Sequence, residues 1–302
     1  MGTIGNLFNI VLFTRDYVWR QSACIPYLLG SSIASVIVIY TATLTRMLLG
    51  FNIMLLASNR ILCKTIVYIA GTSNGCTTWF MIGACFDRYI SSSSVVTTRH
   101  ISNMRTTRRI MAITTIVMLI TYAEIFYCYE SGNTMTIAPC ANKNDICGNL
   151  DIALTFIVQL IPPFLLIMYF GMGTFFNIRK SSRLHRVEVS SVVSSISLAT
   201  RRAKMANERA ILRVVFIQVV IFWLCQLPYT AVKIYQLLTI TTVKNNVRRS
   251  IENLVINMSI LMYVLDKTYS FYIYTLSSGY YRKQLKRLIG SVFRKARIIP
   301  VN

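Results

Sequence analysis

Cys63, Asp87, Arg88, Asp266 and Lys267 are the residues of this chain whose types and settings are suited to chemistry. Asp87-Arg88-Tyr89 closes a long uncharged run, and Cys63 lies 25 residues before Arg88. At 1.5 Å per helical residue the two stand roughly 37 Å apart, a little more than a hydrocarbon core of about 30 Å. One helix can therefore hold a thiol at one membrane face and an adjacent acid and base at the other. Asp266 and Lys267 are two charges inside an otherwise apolar stretch. Ionisable groups at membrane depth are costly, face the protein interior, and are paired or functional. No constellation for catalysis accompanies them: His100 and His185 lie in basic segments with no ordered acid or nucleophile beside them. An enzyme is not expected, nor is a cofactor.

Positioning such groups requires membrane helices, and the composition supplies them. Of 302 residues 54% are hydrophobic and only 14% charged, with a mean hydropathy of +0.53; soluble domains carry about 25% charged residues. The formal charge of +22 would suit nucleic acid, but the basic residues fall mainly between the apolar runs. Cations in that position match anionic lipid and the positive-inside rule. The expected partner is a lipid bilayer, and nucleic acid is excluded. Eight cysteines occur without metal-type CxxC pairs, so no metal is expected. Most lie in apolar runs, where a free cysteine is a small buried hydrophobe. Cys140 and Cys147 differ, because they sit in the polar stretch 134–149.

Apolar length places helices at about 25–50, 60–92, 107–129, 150–178, 207–239 and 249–277. A further segment, about 4–14, is apolar but short. The expectation is an all-α membrane protein, one seven-helix domain over 1–302 whose first helix is incomplete. An amphipathic helix follows at 279–291, with apolar positions 281, 285, 288 and 289 on one face and basic residues around them. No basic region or cleavage site marks a signal peptide.

Orientation follows from lysine and arginine in the connections. One side receives two (15–20), four (99–109), eight (179–209) and seven in the tail, 21 in all; the other holds Arg60, Lys143, Lys244, Arg248 and Arg249. The bias puts the C-terminus and Asp87-Arg88-Tyr89 in the cytoplasm, and Cys63, Cys140 and Cys147 outside. A multi-pass plasma-membrane protein satisfies this.

The joint spacing of Cys63 and Asp87-Arg88-Tyr89 resembles the third helix of rhodopsin-like G-protein-coupled receptors, and the resemblance extends over nearly the whole chain. Gly5-Asn6-Leu7 resembles the Gly-Asn pair of the family's first helix; on that match only five residues precede Asn6, about 7.5 Å of helix. A start placed too late, or a fragment, is then expected. Phe222-Trp223-Leu224-Cys225-Gln226-Leu227-Pro228 resembles FxxCWxP, with Gln226 in place of the tryptophan. Asp266 to Tyr274 resembles a degenerate NSxxNPxxY, in which Tyr274 is kept while Ser270 and Phe271 replace Asn and Pro. Pro162-Pro163 match the fifth-helix proline, whereas the fourth helix lacks the usual tryptophan and proline.

The resemblance implies roles. Arg88 would bridge Asp87 and Glu208, which lies 20 residues before Pro228, clamping the inner ends of helices 3 and 6. Pro228 would be the pivot of an outward swing, with Phe222 beside it and Tyr274 on helix 7. Cys63 would cross-link to the second extracellular loop at Cys140, or alternatively Cys147; a bond between those two is the other possibility. Helix 2 has no acid, Ser35 standing nearest the family's sodium-binding aspartate. Asp266 would supply that charge from helix 7, although pairing with Lys267 is the plainer expectation. The serine-rich stretch 189–195 reads as a solvated linker facing the G protein. Ala70 stands where amine receptors carry an aspartate, and Val264 where opsins carry the retinal lysine, so both classes are excluded. The remaining style resembles invertebrate peptide receptors. The expected function is transmission of an extracellular signal, from a peptide, to a heterotrimeric G protein through opening of the helix 3 and helix 6 ends. The rivals are a non-signalling receptor homologue and, from another class, a membrane transporter, for which no repeated half-helices are evident.

Overall fold

The protein is described by a computed structural model over residues 2–15, 22–51, 59–93, 95–131, 140–188, 216–217, 219–236, 238–239, 242, 245–277 and 279–298. Helix α1 is Gly2–Arg15. Helix α2 starts at Ile25–Val38, passes through a π-helical stretch Ile39–Thr43 and ends with Leu44–Gly50. Helix α3 is Arg60–Ser91. A short helical turn, Val96–Ile101, leads to α4, Met104–Thr121, which continues through a 3-10 turn to Ile125–Cys128. Helix α5 combines Asp145–Leu154, a π-helical Thr155–Leu160 and Ile161–Glu188. Helix α6 covers 219–236. Helix α7 is Asn246–Ser277 and α8 is Gly279–Ile298. These form a seven-helix bundle with α8 appended.

Local sequence sets several of these boundaries. Asn59, Asn103 and Asn144 each stand at an N-cap and accept from a backbone N–H one turn on, satisfying donors that a helix start leaves open. In α5, Pro162 has no N–H to offer the Val158 carbonyl four residues back. That carbonyl instead accepts from the Trp79 indole of α3 at 2.9 Å. The proline pair thus follows a π-helical turn and opens a bonding position for a neighbour.

Helix α3 packs against α2, α4 and α5, and α1 against α2 and α7. By length and hydropathy alone, Ile25–Leu48, Met104–Cys128 and Asp145–Asn177 qualify as membrane spans among the described residues. Helix α3 does not, for a physical reason. Its buried surface includes Thr72, Ser73, Asn74, Thr77, Thr78, Asp87 and Arg88, because it faces protein rather than lipid. Close approach of α1 to α7 depends on Gly5: a Cβ there would stand 2.8 Å from the Phe271 Cβ.

Two differences from the sequence reading concern cysteine. Cys128, expected as a buried hydrophobe in an apolar run, is bonded to Cys147. Cys147 is therefore joined neither to Cys63 nor to Cys140. The apolar run ends at this point, where Tyr129–Ser131 forms a strand antiparallel to Cys140–Asn142, so Cys128 sits at the base of a hairpin. Cys63 is bonded to Cys140 in the second strand.

Candidate functional site

The Arg88 end of the bundle holds a compact polar cluster. Arg88 donates to Asp87 Oδ2 at 2.9 Å and to Ser22 Oγ, just before α2, at 2.8 Å. Asp87 Oδ1 accepts from Ser102 Oγ at 2.5 Å. Both charged residues are buried, at 4% and 8% exposure. The short turn 96–101 and the approach to α2 are thereby tied to the end of α3. Tyr89 packs its ring between Tyr169 and Phe170 of α5, with centroids 5.9 and 5.7 Å away. Gly173 makes room for it, since a Cβ there would lie 2.5 Å from the ring. Glu208 and the linker at 189–195 lie outside the described residues.

Higher in the bundle a second cluster joins α1, α6, α7 and α8. Asp266 and Lys267 pair at 2.8 Å, with side chains only 6% and 3% exposed. The Lys267 ammonium lies 5.6 Å from the ring centres of both Phe222 and Tyr263, where ring quadrupoles favour a cation. Asn6 donates to the Lys267 carbonyl at 2.9 Å. Ser270 donates to Asn6 and accepts from Asn9, and Asn9 accepts in turn from the Tyr281 hydroxyl of α8 at 2.6 Å. Ser31, Ser35 and Thr77 face Asp266 and Ser270 across a space of about 10 Å³, roughly one water-sized sphere. Asp266 Oδ1 is buried with no hydrogen-bond partner. Lys267 occupies the centre of this polar core as a tethered cation. Below it, Phe222 packs with Met81, Ile82, Cys85 and Ile167. Pro228 lies one helical turn past Cys225 in α6, and Tyr274 near the end of α7.

The Cys63 end carries a third group. Asn74 of α3 donates to Gln159 of α5 at 2.9 Å and to the Tyr263 hydroxyl of α7, and Tyr263 donates to Gln159 at 2.8 Å. Gln159 also donates to the Tyr122 hydroxyl of α4. Nearer the hairpin, Lys233 of α6 pairs with Asp151 of α5 at 2.9 Å, and the Tyr129 hydroxyl donates to Asp151 at 3.3 Å. The Tyr229 and Tyr263 rings lie 4.7 Å apart. Both disulfides bracket this region.

The profile described as "7 transmembrane receptor (rhodopsin family)" matches residues 5–270. The chain belongs to that receptor family. In fold this receptor is similar to the crystal structure of squid rhodopsin, with a TM-score of 0.76 and 15% identity, covering 96% of this chain and 82% of that one. No curated protein matches. Membership makes the protein a multi-pass plasma-membrane G-protein-coupled receptor, with an extracellular ligand, a G protein and membrane lipid as its partners.

The structure draws Asp87 with Arg88, Asn6 with Lys267 and Asp266, and Phe222 with Lys267, but these form two clusters rather than one. Sequence reasoning passed over the receptor's Asn74–Gln159–Tyr263–Tyr122 group and the Asp151–Lys233 pair. The signal that singles out Asp266 and Lys267, charge inside an apolar span, applies equally to Arg46, Asp151 and Lys233. Asn74 and Gln159 carry no comparable mark, since a lone amide in a span is read only once its partners are known.

Proposed function

We propose that this receptor answers a peptide ligand at the Cys63 end by letting the Arg88 ends of α3 and α6 part, admitting a heterotrimeric G protein. On this reading the C-terminus and α8 are cytoplasmic and the hairpin is extracellular, as the basic bias of the connections indicates. The observation that carries it is the buried Asp87–Arg88 pair, held at 2.9 Å beside Ser22 and Ser102. A charge pair so placed resists leaving until a competing contact replaces it. Glu208, ahead of α6 in the sequence, is assigned as a partner of Arg88, and Pro228 as the pivot. Phe222 and Lys267 carry the movement to α7, ending at Tyr274. A coupling of about 1–3 kcal/mol changes an equilibrium roughly 5- to 150-fold, so the clamp need not be strong. The peptide assignment draws on the helix 3 and helix 7 sequence style.

The second reading is a homologue that binds without signalling. Gln226, buried at 2% exposure, and Ser270 favour it, because both replace family residues of the moving helices. Basal nucleotide exchange on a purified G protein separates the two. The account expects Glu208→Ala to raise the basal rate severalfold and Arg88→Ala to abolish it. Equal rates for all three chains would eliminate the clamp.

A further inference from the structure

An apolar groove of about 320 Å³ opens between α6 and α7 near their Cys63 ends, a volume within the range of small-molecule sites. Ala231 and Val232 line it from α6, and Ile251, Val255 and Ile256 from α7. Ile251 and Val255 stay exposed there. The polar lining is Tyr235, Gln236 and Glu252, and two of these are tied to Arg248 in the first turn of α7. The Tyr235 hydroxyl donates to Glu252 Oε1 at 2.7 Å. Arg248 Nε donates to the same oxygen at 3.1 Å, and its Nη2 to the Tyr235 hydroxyl at 2.8 Å. Among the described residues no bond engages Arg248 Nη1, and the exposed Arg249 stands next in the chain. Helix length fixes the depth of the groove. The amphipathic α8 begins at Gly279 and marks one membrane surface. Ile256 lies 21 residues before Ser277, the end of α7, which is roughly 32 Å of helix against a hydrocarbon core of about 30 Å. The groove therefore lies at the opposite edge of the hydrocarbon, and Arg248 at headgroup depth.

We propose that this groove holds one acyl chain of a phospholipid whose phosphate rests on Arg248. The layering carries the assignment: an apolar slot at the edge of the hydrocarbon, with a guanidinium just beyond it. Arg248 and Arg249 set two cations against the one carboxylate of Glu252. That excess matches a phosphate, whereas the uncharged head of a sterol or a diacylglycerol leaves it unanswered. A guanidinium meets phosphate oxygens through two parallel N–H bonds, and Nη1 is placed to supply them without disturbing the bonds to Glu252 and Tyr235. The seated chain braces α6 against α7. Neither the peptide nor the Arg88 clamp enters this assignment.

The test uses the full chain in detergent, with dioleoyl-phosphatidylcholine, dioleoylglycerol or cholesterol added and the bound lipid counted by native mass spectrometry. Phosphatidylcholine is expected to stay bound at concentrations where the other two do not. Arg248→Gln should weaken it about tenfold, and Arg248→Lys should restore part of the loss. Ala231→Trp, which fills the slot, should remove it. Phosphatidylcholine carrying a diazirine at the end of one chain is expected to label residues 251–256 and the facing turn of α6 once irradiated. No retained phosphatidylcholine overturns the proposal, as does equal retention of dioleoylglycerol. Preferential retention of cholesterol replaces the phospholipid by a sterol and overturns it too, as does affinity unchanged in both Arg248→Gln and Ala231→Trp. Labelling that leaves 251–256 untouched has the same force, and it is read on the unmodified chain, whether or not a variant folds. No ligand or G protein is present, so failure of the clamp would leave these results intact.

Discussion

Replacing Lys267 by methionine would leave the Asp266 carboxylate buried without its cation. Breaking a buried pair from one side costs about 3–5 kcal/mol, whereas replacing both partners is far milder. Lys267→Met is therefore expected to lower stability by roughly that amount, and Asp266→Asn combined with Lys267→Met to recover most of it. Thermal unfolding in nanodiscs measures both; a double variant no better than the single one would contradict the pairing. The same residue shows how far the sequence could be read. Two adjacent charges in an apolar span announce a buried polar core, and Asp266 does pair with Lys267. What the sequence does not hold is the company they keep: Phe222 and Tyr263 beneath the ammonium, or the chain of Asn6, Ser270, Asn9 and Tyr281. The bonds among Asn6, Ser270, Asn9 and Tyr281 join residues more than 260 positions apart, and no local pattern encodes them.

Among the elements, the paired strands Tyr129–Ser131 and Cys140–Asn142 and the two disulfides beside them are the part least visible beforehand. Cys63 and Cys140 sit in settings that invite a bond. Cys128 sits at the end of an apolar run, where chemistry alone reads it as packing. Its partner Cys147 is 19 residues away, and closing a loop of that size restrains the unfolded chain by about 3 kcal/mol. Cys128→Ser with Cys147→Ser should cost close to that figure in thermal unfolding, while non-reducing peptide mapping still finds Cys63 joined to Cys140. Exchange of the remaining cysteines into new pairs would show that the second bond sets the pairing of the first. Helix α5 shows the reverse case. Pro162-Pro163 stand out in the sequence because a proline removes a helix hydrogen bond, and the π-helical turn 155–160 lies just before them. That the vacated Val158 carbonyl would be taken by Trp79 needed the neighbour in place.

At the scale of the whole molecule, α3 joins the two ends. It carries Cys63 at one, Asn74 and Thr77 along its length, and Asp87-Arg88-Tyr89 at the other. Its polar buried surface keeps it from registering as an apolar span, although its spacing makes it the most recognisable helix in the sequence. Tyr229 and Tyr263 lie on the same two helices as Phe222 and Lys267, α6 and α7. A ligand shifts the bundle only by its unequal affinity for the closed and open forms, and the Arg88 end must supply the opposing restraint. The measurement that meets this claim most directly is a spin-label distance between Thr97, on the turn after α3, and Phe216, three residues before α6. In the ligand-free receptor the account predicts one short distance that gains a longer population in Glu208→Ala and a larger one when nucleotide-free G protein is added. An unchanged distribution in both conditions would contradict it.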